Sequence, residues 1–174
     1  MQWTSFPKNV ASAAMLDSVF YNRAEVERGL EIQALVVVVV ANGMAGFGSS
    51  VATDTNILGG IGLGILSGVF GWLIWSLVAM IVGTRVFHGT SDFGQMRRVI
   101  GFAYAPLAIG VIPWLGFIGA AWVLVAAVIA IREGMDFSTK RSIATMALGW
   151  GAWLGVTLMI NVLFDLEMRS GWPF

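Results

Sequence analysis

The apolar residues of this chain fall in long blocks separated by short polar stretches, a pattern typical of helices that cross a bilayer. We predict five such helices, at about residues 32–48, 57–82, 99–112, 117–131 and 143–164. The first contains a run of consecutive valines, Val36–Val40, which in a soluble protein would indicate a buried strand. An open strand in lipid leaves its backbone groups unpaired, so the apolar surroundings favour a helix here as well.

The third predicted span is the shortest, and two prolines mark it. Pro106 lies within it and Pro113 ends it. A proline removes a backbone donor and its ring clashes with the preceding turn, so a kink or a broken helix is predicted near Tyr104–Pro106. An alternative arrangement has four spans, in which the third and fourth are joined as a re-entrant hairpin with Pro113 at its tip.

Residues 1–30 are expected to form a separate amphipathic segment ahead of a five-helix unit of residues 31–174. Their uneven apolar stripe consists of pairs one helical turn apart, Leu16 with Phe20 and Val26 with Leu30. With Trp3 and Phe6 as anchors, this predicts one interfacial helix or two short ones lying along the membrane. The alternative is a short polar helix packed on the rest of the protein. Charged residues interrupt the segment, so a retained segment is expected rather than a cleaved signal.

Composition supports a membrane protein. Hydrophobic residues make up 57% of the 174 positions, charged residues make up 11%, and the mean hydropathy is +0.82. A soluble domain is about a quarter charged, so this chain has too few charges for a water-facing surface. The formal net charge is +0, which gives no case for nucleic-acid binding, and the absence of cysteine excludes disulfides and thiolate metal sites. The predicted fold class is therefore an all-α, polytopic integral membrane protein.

The distribution of basic residues predicts the orientation. With five spans, one side of the membrane receives nine of the ten Lys and Arg, namely Lys8, Arg23, Arg28, Arg85, Arg97, Arg98, Arg132, Lys140 and Arg141. The other side receives only Arg169. Since basic residues accumulate on the cytoplasmic side, the N-terminus is expected in the cytoplasm.

The connection between the second and third predicted spans carries a recognisable set of residues. His88–Pro106 reads HGTSDFGQMRRVIGFAYAP. It resembles the signature of the Yip-one domain family (Yip/Yif), polytopic membrane proteins first described as partners of Rab/Ypt GTPases. The matching residues, in order, are Gly89, Thr90, Phe93, Arg97, Arg98, Gly101, Phe102, Ala103 and Pro106.

Two further stretches extend the resemblance. Tyr21, Glu25, Val26 and Glu27 are similar to the lead-in of bacterial members, and Arg132, Asp136 and Phe137 are similar to their loop before the last span. The N-terminal region is shorter than in eukaryotic members, and their Asp-Leu-Tyr-Gly-Pro motif is absent. The resemblance therefore implies a prokaryotic-type member with a five-span layout in the cytoplasmic (inner) membrane, and it implies no settled activity.

The candidate site is a polar cluster between the second and third predicted spans. It consists of Arg85, His88, Asp92, Arg97 and Arg98. Basic residues at an inner membrane face attract anionic headgroups, so the cluster predicts a site for lipid or for a partner protein. The alternative is that these residues only fix the orientation of the helices. His88 is the sole histidine, and without cysteines or a carboxylate motif beside it a metal site is not expected.

Small residues indicate where helices pack. Gly60, Gly64 and Gly68 recur on one face of the second span, and Gly151 and Gly155 do so in the last. Such ladders let a second backbone approach closely, either within the protein or across a homodimer seam. Gly101 and Pro106 are assigned to helix packing as well.

No motif predicts catalysis or a cofactor. The spans carry no ionisable residue at mid-depth, and no phosphate-binding loop, Ser/His/Asp set or metal motif occurs. The chain is expected to be a non-catalytic membrane-shaping or scaffold protein that contacts lipids and other membrane subunits or itself. The alternatives are an accessory subunit of a larger membrane complex and a small permease or lipid-handling protein. A cavity lined by Asn42, Tyr104 and Asn161 would favour the permease.

Overall fold

The computed structural model describes residues 3–169 of the chain, and it describes the side chains of residues 3–159 and of Val162. Every regular element in this part is helical. The α-helices are α1 (Phe6–Ala14), α2 (Ser18–Val26), α3 (Glu31–Thr53), α4 (Ile57–Arg85), α5 (Phe93–Ala103), α6 (Gly116–Gly134) and α7 (Thr139–Arg169). Short 3-10 helices lie at Trp3–Ser5 and Arg28–Leu30, and a longer one occupies Ala105–Val111.

Four helical segments among the described residues are long and apolar enough to cross a membrane. They are Arg28–Thr53, Ile57–Arg85, Gly116–Gly134 and Thr139–Met159. They coincide with the first, second, fourth and fifth predicted spans, so those four predictions are confirmed. The chain is an all-α integral membrane protein.

The third predicted span is not one continuous helix. α5 ends at Ala103, and after Tyr104 the chain continues as the 3-10 helix Ala105–Val111. The break falls at Pro106, which lacks the N–H that an α-helix would need there. The predicted interruption is confirmed, and the expectation of about five spans corresponds to four continuous helices and one divided segment among the described residues.

This divided segment nevertheless runs along the neighbouring helices. Gly101 of α5 packs against Ala34 near the start of α3, and Gly110 of the 3-10 helix packs against Ala45 farther along α3. Ala34 and Ala45 are about 16 Å apart along the axis of α3. On the other side, Gly134 of α6 contacts Met96 and Val99, so α6 runs antiparallel to the segment. The path of the chain therefore follows a five-segment layout, although only four of the segments are continuous helices.

The two short N-terminal helices pack on this bundle. Tyr21 and Ala13 are fully buried, and the Tyr21 hydroxyl donates to the Ala13 carbonyl at 3.1 Å. Phe20 meets Phe102 of α5 edge-on with ring centroids 4.9 Å apart. Of the predicted apolar stripe, Phe20 and Leu30 are buried against the protein, whereas Val26 is 68% exposed on its surface.

The helix connections define two ends of the bundle. The basic end is where α4 and α6 finish and α5 and α7 begin, and it carries Arg85, Arg97, Arg132, Lys140 and Arg141. The Asp54 end holds the connection between α3 and α4, residues 54–56, and the connection before α6, residues 112–115. These two connections contain no Lys or Arg.

Candidate functional site at the basic end

The five residues of the predicted cluster do not form one site. Asp92 has a structural role at the start of α5. Its carboxylate accepts a hydrogen bond from the Gln95 backbone N–H at 2.8 Å, while the Gln95 side chain accepts from the Asp92 N–H at 2.6 Å. This reciprocal pair is a capping box, which satisfies the free amides at the start of a helix. Asp92 therefore starts α5.

Arg98 is directed into the protein and only 4% exposed. Its Nε donates to the Ala24 carbonyl at 3.0 Å, and its Nη2 donates to the Glu25 carbonyl. These carbonyls belong to the last turn of α2. The carbonyls there have no N–H partner within the helix, and a positive charge at this end is stabilising. The side chain caps α2 and joins it to α5.

The Arg97 side chain does not share the buried position of Arg98, but it also has partners within the protein. Its Nη2 pairs with the Glu31 carboxylate at the start of α3, and its guanidinium lies 4.9 Å from the centre of the Phe93 ring. The Arg97 backbone carbonyl accepts a hydrogen bond from Trp72 Nε1 at 2.9 Å. The residue therefore connects α5 to both α3 and α4.

Arg85 and His88 remain on the surface. Both are exposed, and within the described part of the chain neither forms a hydrogen bond or an ion pair with another side chain. His88 has a positive φ of 58°, which turns the chain after α4. Gly83 and Gly89 both pack against Phe137, which places the connection carrying His88 beside the one that leads into α7. The described residues contain no group of three or more His, Cys, Asp and Glu placed to hold a metal ion.

The start of α7 adds two further basic residues to this surface. Lys140 and Arg141 are exposed, and no described side chain pairs with either of them. Together with Arg85 and His88 they form what we call the basic surface. The charges of Arg85, Lys140 and Arg141 are available to anionic groups, whereas those of Arg97 and Arg98 are engaged within the protein.

Glu25 lies beside the Arg98 cap and has a perturbed pKa. Burial raises the pKa of its carboxyl above the ordinary value of 4.5, and the negative charges of Asp136 and Asp92 raise it further, although Arg98 acts in the opposite direction. Its Oε1 accepts a hydrogen bond of 3.4 Å from Gln95 Nε2. The negative charge of this carboxyl is therefore unfavourable in the folded state.

Sequence reasoning missed a buried polar chain that joins the first three helices. Asn9 and Gln33 are each 2% exposed, and Asn9 Nδ2 donates to Gln33 Oε1 at 2.9 Å. Arg23 Nη2 donates to Asn9 Oδ1 at 2.6 Å. The sequence offers only a weak indication of this contact, namely one amide side chain on an otherwise apolar face of α1 and one on an otherwise apolar face of α3.

The glycine ladder of α4 faces α3. A Cβ on Gly64 would lie 2.6 Å from the Asn42 carbonyl oxygen, and one on Gly68 would overlap the Asn42 side chain. Gly60 packs in the same way against Gly46 and Ser50. The ladder therefore serves a contact within the protein. Asn42 Nδ2 donates to the Val38 carbonyl at 2.8 Å, so its amide is satisfied within α3.

The other predicted packing residues differ in their surroundings. Gly101 lies close to Ala34 and Trp72, and Pro106 is buried. Gly151 and Gly155 have open space where a Cβ would stand. The cavity that would have favoured a permease is not formed by its described members, because Asn42 packs on Gly68 and Tyr104 packs edge-on against Trp75. The side chain of Asn161 lies outside the described residues.

A second glycine-based contact, between α4 and α7, was not predicted. Gly71 of α4 accommodates the Trp153 ring of α7, and Gly149 of α7 accommodates the Trp75 ring of α4. The pattern is reciprocal, since each helix supplies one glycine and one tryptophan. A spacing rule of four residues cannot reveal it, because the partners are on different helices.

Comparison with known proteins assigns the family. The family model described as the Yip1 domain matches residues 18–163, which is most of the chain and includes every helix from α2 to the greater part of α7. Neither the curated proteins nor the solved structures provide a match. The matched region contains the residues of the capping box, the Arg98 cap and the divided segment, and the chain belongs to the Yip1 domain family.

Proposed function

We propose that this protein is a non-catalytic membrane-shaping or scaffold protein, which expands one leaflet of the bilayer at its basic end. The observation that carries the proposal is the orientation of α1, which runs across the bundle and not along it. Phe6 and Val10 of α1 line a small apolar cavity with Val37 and Val40 of α3. Just beyond the other end of α1, Leu16 lies beside Trp122 and Val125 of α6.

The depths of these contacts support that orientation. Val37 and Val40 follow Glu31 by about 9–14 Å along α3, and Trp122 and Val125 precede Arg132 by about 10–15 Å along α6. Glu31 and Arg132 both lie at the basic end. The two ends of α1 are therefore at similar depth, which is the arrangement of a helix that lies in the plane of a membrane.

An in-plane helix has a direct mechanical effect. Amphipathic helices of this kind insert about 5–10 Å into the boundary between headgroups and acyl chains. α1 and α2 add their cross-section near the basic end, so they occupy area in one leaflet that no described residue matches in the other. By the predicted orientation this is the cytoplasmic leaflet of a prokaryotic inner membrane.

Reconstitution into vesicles tests the proposal. The purified full chain is incorporated into large unilamellar vesicles, and vesicle diameter and tubulation are measured by cryo-electron microscopy against protein-free vesicles. The double variant Phe6→Ser/Val10→Ser removes the apolar contacts of α1, while Ala11→Ser alters an exposed position of the same helix. We expect the wild type and Ala11→Ser to increase curvature and the double variant to lose most of that effect. Unchanged vesicles with the wild type, or equal effects of all three chains, would contradict the proposal.

A second candidate function, an accessory subunit of a larger membrane complex, is favoured by the exposure of α7. Only 17% of its most apolar stretch is buried within the protein, against 33% to 39% for the other three long helices. The Gly151 and Gly155 positions on it are open. Purification in a gentle detergent, followed by mass spectrometry of co-eluting proteins, distinguishes the candidates, because a subunit brings stoichiometric membrane partners and a self-sufficient shaping protein does not.

A further inference from the structure

A groove along α4 combines two adjoining cavities of different chemistry. The first has a volume of about 420 Å³ and lies toward the Asp54 end, where Ser49, Ser50 and Thr55 supply hydroxyl groups. The second has a volume of about 430 Å³ and is lined by apolar side chains, among them Phe70, Ile74, Trp153 and Val156. Leu63 and Ser67 line both cavities, so the two form one groove with a polar mouth and an apolar floor.

Ser50 is an independent indication that the mouth binds a polar group. The residue is 3% exposed, and its hydroxyl forms no hydrogen bond within the described residues. The oxygen points across the groove mouth toward Gly60, whose missing side chain leaves room for it. Ser50 lines the first cavity, so a polar group of a ligand in that cavity can supply the partner that this hydroxyl lacks among the described residues.

The length of the apolar part matches one leaflet of a bilayer. From Leu63 to Ile74 the floor extends about 16 Å along α4, and half of a typical hydrocarbon core is about 15 Å. An acyl chain that enters at the Asp54 end and lies on Phe70 and Ile74 would therefore reach the middle of the membrane. The side-chain hydroxyl of Thr157 on the wall is already satisfied, since it donates to the Trp153 carbonyl at 3.0 Å.

The charge at the mouth restricts the headgroup. The two connections at the Asp54 end hold no Lys or Arg, and one of them contributes the exposed carboxylate of Asp54. An anionic headgroup finds no charged partner in these connections and is repelled by Asp54. A headgroup with hydrogen-bonding groups and no net charge is compatible with both the carboxylate and the hydroxyls.

We propose that this groove binds one phospholipid of zwitterionic headgroup, with the glycerol and headgroup against Ser49, Ser50 and Thr55 and one acyl chain along Leu63–Ile74. The site is distinct from the basic surface and from α1, and it lies at the opposite end of the bundle. Lipid held there fills the space between α4 and α7, which are otherwise joined by the reciprocal Gly–Trp contacts.

Photochemical labelling in membranes tests the site. The full chain is reconstituted in vesicles that contain phosphatidylethanolamine with a photoactivatable acyl chain, and labelled peptides are identified by mass spectrometry. A parallel arm uses phosphatidylglycerol with the same chain. Ser67→Trp fills the junction of the two cavities from an exposed position, and Leu58→Trp is the matched control because Leu58 is 83% exposed on the same helix and lines neither cavity.

We expect labels from phosphatidylethanolamine to concentrate between residues 63 and 74 and near Trp153. The Ser67→Trp variant should reduce this labelling about fivefold or more, while Leu58→Trp leaves it unchanged. Ser50→Ala should reduce the preference for phosphatidylethanolamine over phosphatidylglycerol. Even labelling of all exposed helix faces, labelling unaffected by Ser67→Trp, equal labelling by both lipids, or crosslinks to α4 of a second copy in place of lipid would each overturn the proposal.

Discussion

Arg98 Nε donates to the carbonyl oxygen of Ala24 at 3.0 Å, across 74 positions of sequence. The same guanidinium also donates to Glu25, so a single buried cation completes the last turn of α2. Through this contact the N-terminal helices are held on the bundle by charge-assisted hydrogen bonds as well as by apolar packing.

Replacing Arg98 with leucine should release α2. The substitution leaves the carbonyls of Ala24 and Glu25 without their donors, and we expect a loss of about 2–4 kcal/mol in the free energy of unfolding. Thermal unfolding in detergent and trypsin cleavage at Arg23 and Arg28 measure the effect. Arg85→Leu removes an exposed charge and should change neither readout; similar losses in both variants would exclude a specific role for the cap.

Two glycines on α4 should respond to alanine with opposite signs. Gly64 lies against the Asn42 carbonyl, so Gly64→Ala should destabilise the protein by about 1–3 kcal/mol through overpacking. Gly62 has no atom within 4 Å of a Cβ, so Gly62→Ala should stabilise the helix by about 0.5–1 kcal/mol. Unfolding midpoints in one detergent compare the two, and equal shifts would contradict the α3–α4 packing described above.

Loss of the Asn9 amide should loosen α1. Asn9→Ala leaves Gln33 and Arg23 without one partner each, and we expect a cost of about 1–3 kcal/mol for the docking of α1. Hydrogen exchange of the backbone amides in residues 6–14 reports this directly. Asn22→Ala serves as the control, because Asn22 is exposed although it donates to Glu133. Faster exchange confined to α1 in Asn9→Ala is the expected result, and unchanged exchange there would be contrary to it.

The pKa of Glu25 predicts a pH dependence of stability. Because the folded-state pKa is raised above 4.5, the folded protein holds the proton more tightly than the unfolded chain. The contribution of the Glu25 carboxyl to the free energy of unfolding is fully present below its pKa in the unfolded chain. It is lost as the pH rises through its pKa in the folded protein. Glu25→Gln should therefore gain stability relative to the wild type over the pH interval that begins at the ordinary pKa of 4.5 and extends upward, as followed by unfolding midpoints. A constant difference across that interval would mean that the carboxyl is not perturbed.

Hydropathy predicted the bundle well because lipid imposes a simple constraint on length and polarity. α3, α4, α6 and α7 each follow an apolar block of the required length, and Pro106 marks the break in the divided segment. The environments of individual side chains were harder to predict from the sequence. Arg97 and Arg98 are adjacent in sequence, yet one pairs with Glu31 near the surface and the other is buried under α2. Which face of α5 meets which helix is decided by tertiary packing, and no periodicity in a short helix encodes it.

The sequence predicted where the charged residues of the candidate site are concentrated, but not the role of each residue. A concentration of charges between two spans was correctly located, but its members have separate tasks, since Asp92 caps a helix while Arg85 stays free on the surface. The Asn9–Gln33 contact joins residues 24 positions apart on different helices, and nothing in either local sequence identifies the other as partner.

The Arg98 cap also has a consequence for the order in which the chain is made. Ala24 leaves the ribosome long before Arg98, and at about 5–20 residues per second the interval is roughly 4–15 s. The interval between the synthesis of Asn22 and that of its partner Glu133 is longer still, because 111 positions separate them. During biogenesis the contacts of α2 with α5 and α6 therefore cannot form while α3 and α4 enter the bilayer, and the apolar face of α2 is then available to the membrane surface or to the insertion machinery. Docking of α2 is one of the late steps of assembly, although α2 is among the first parts of the protein to be synthesised.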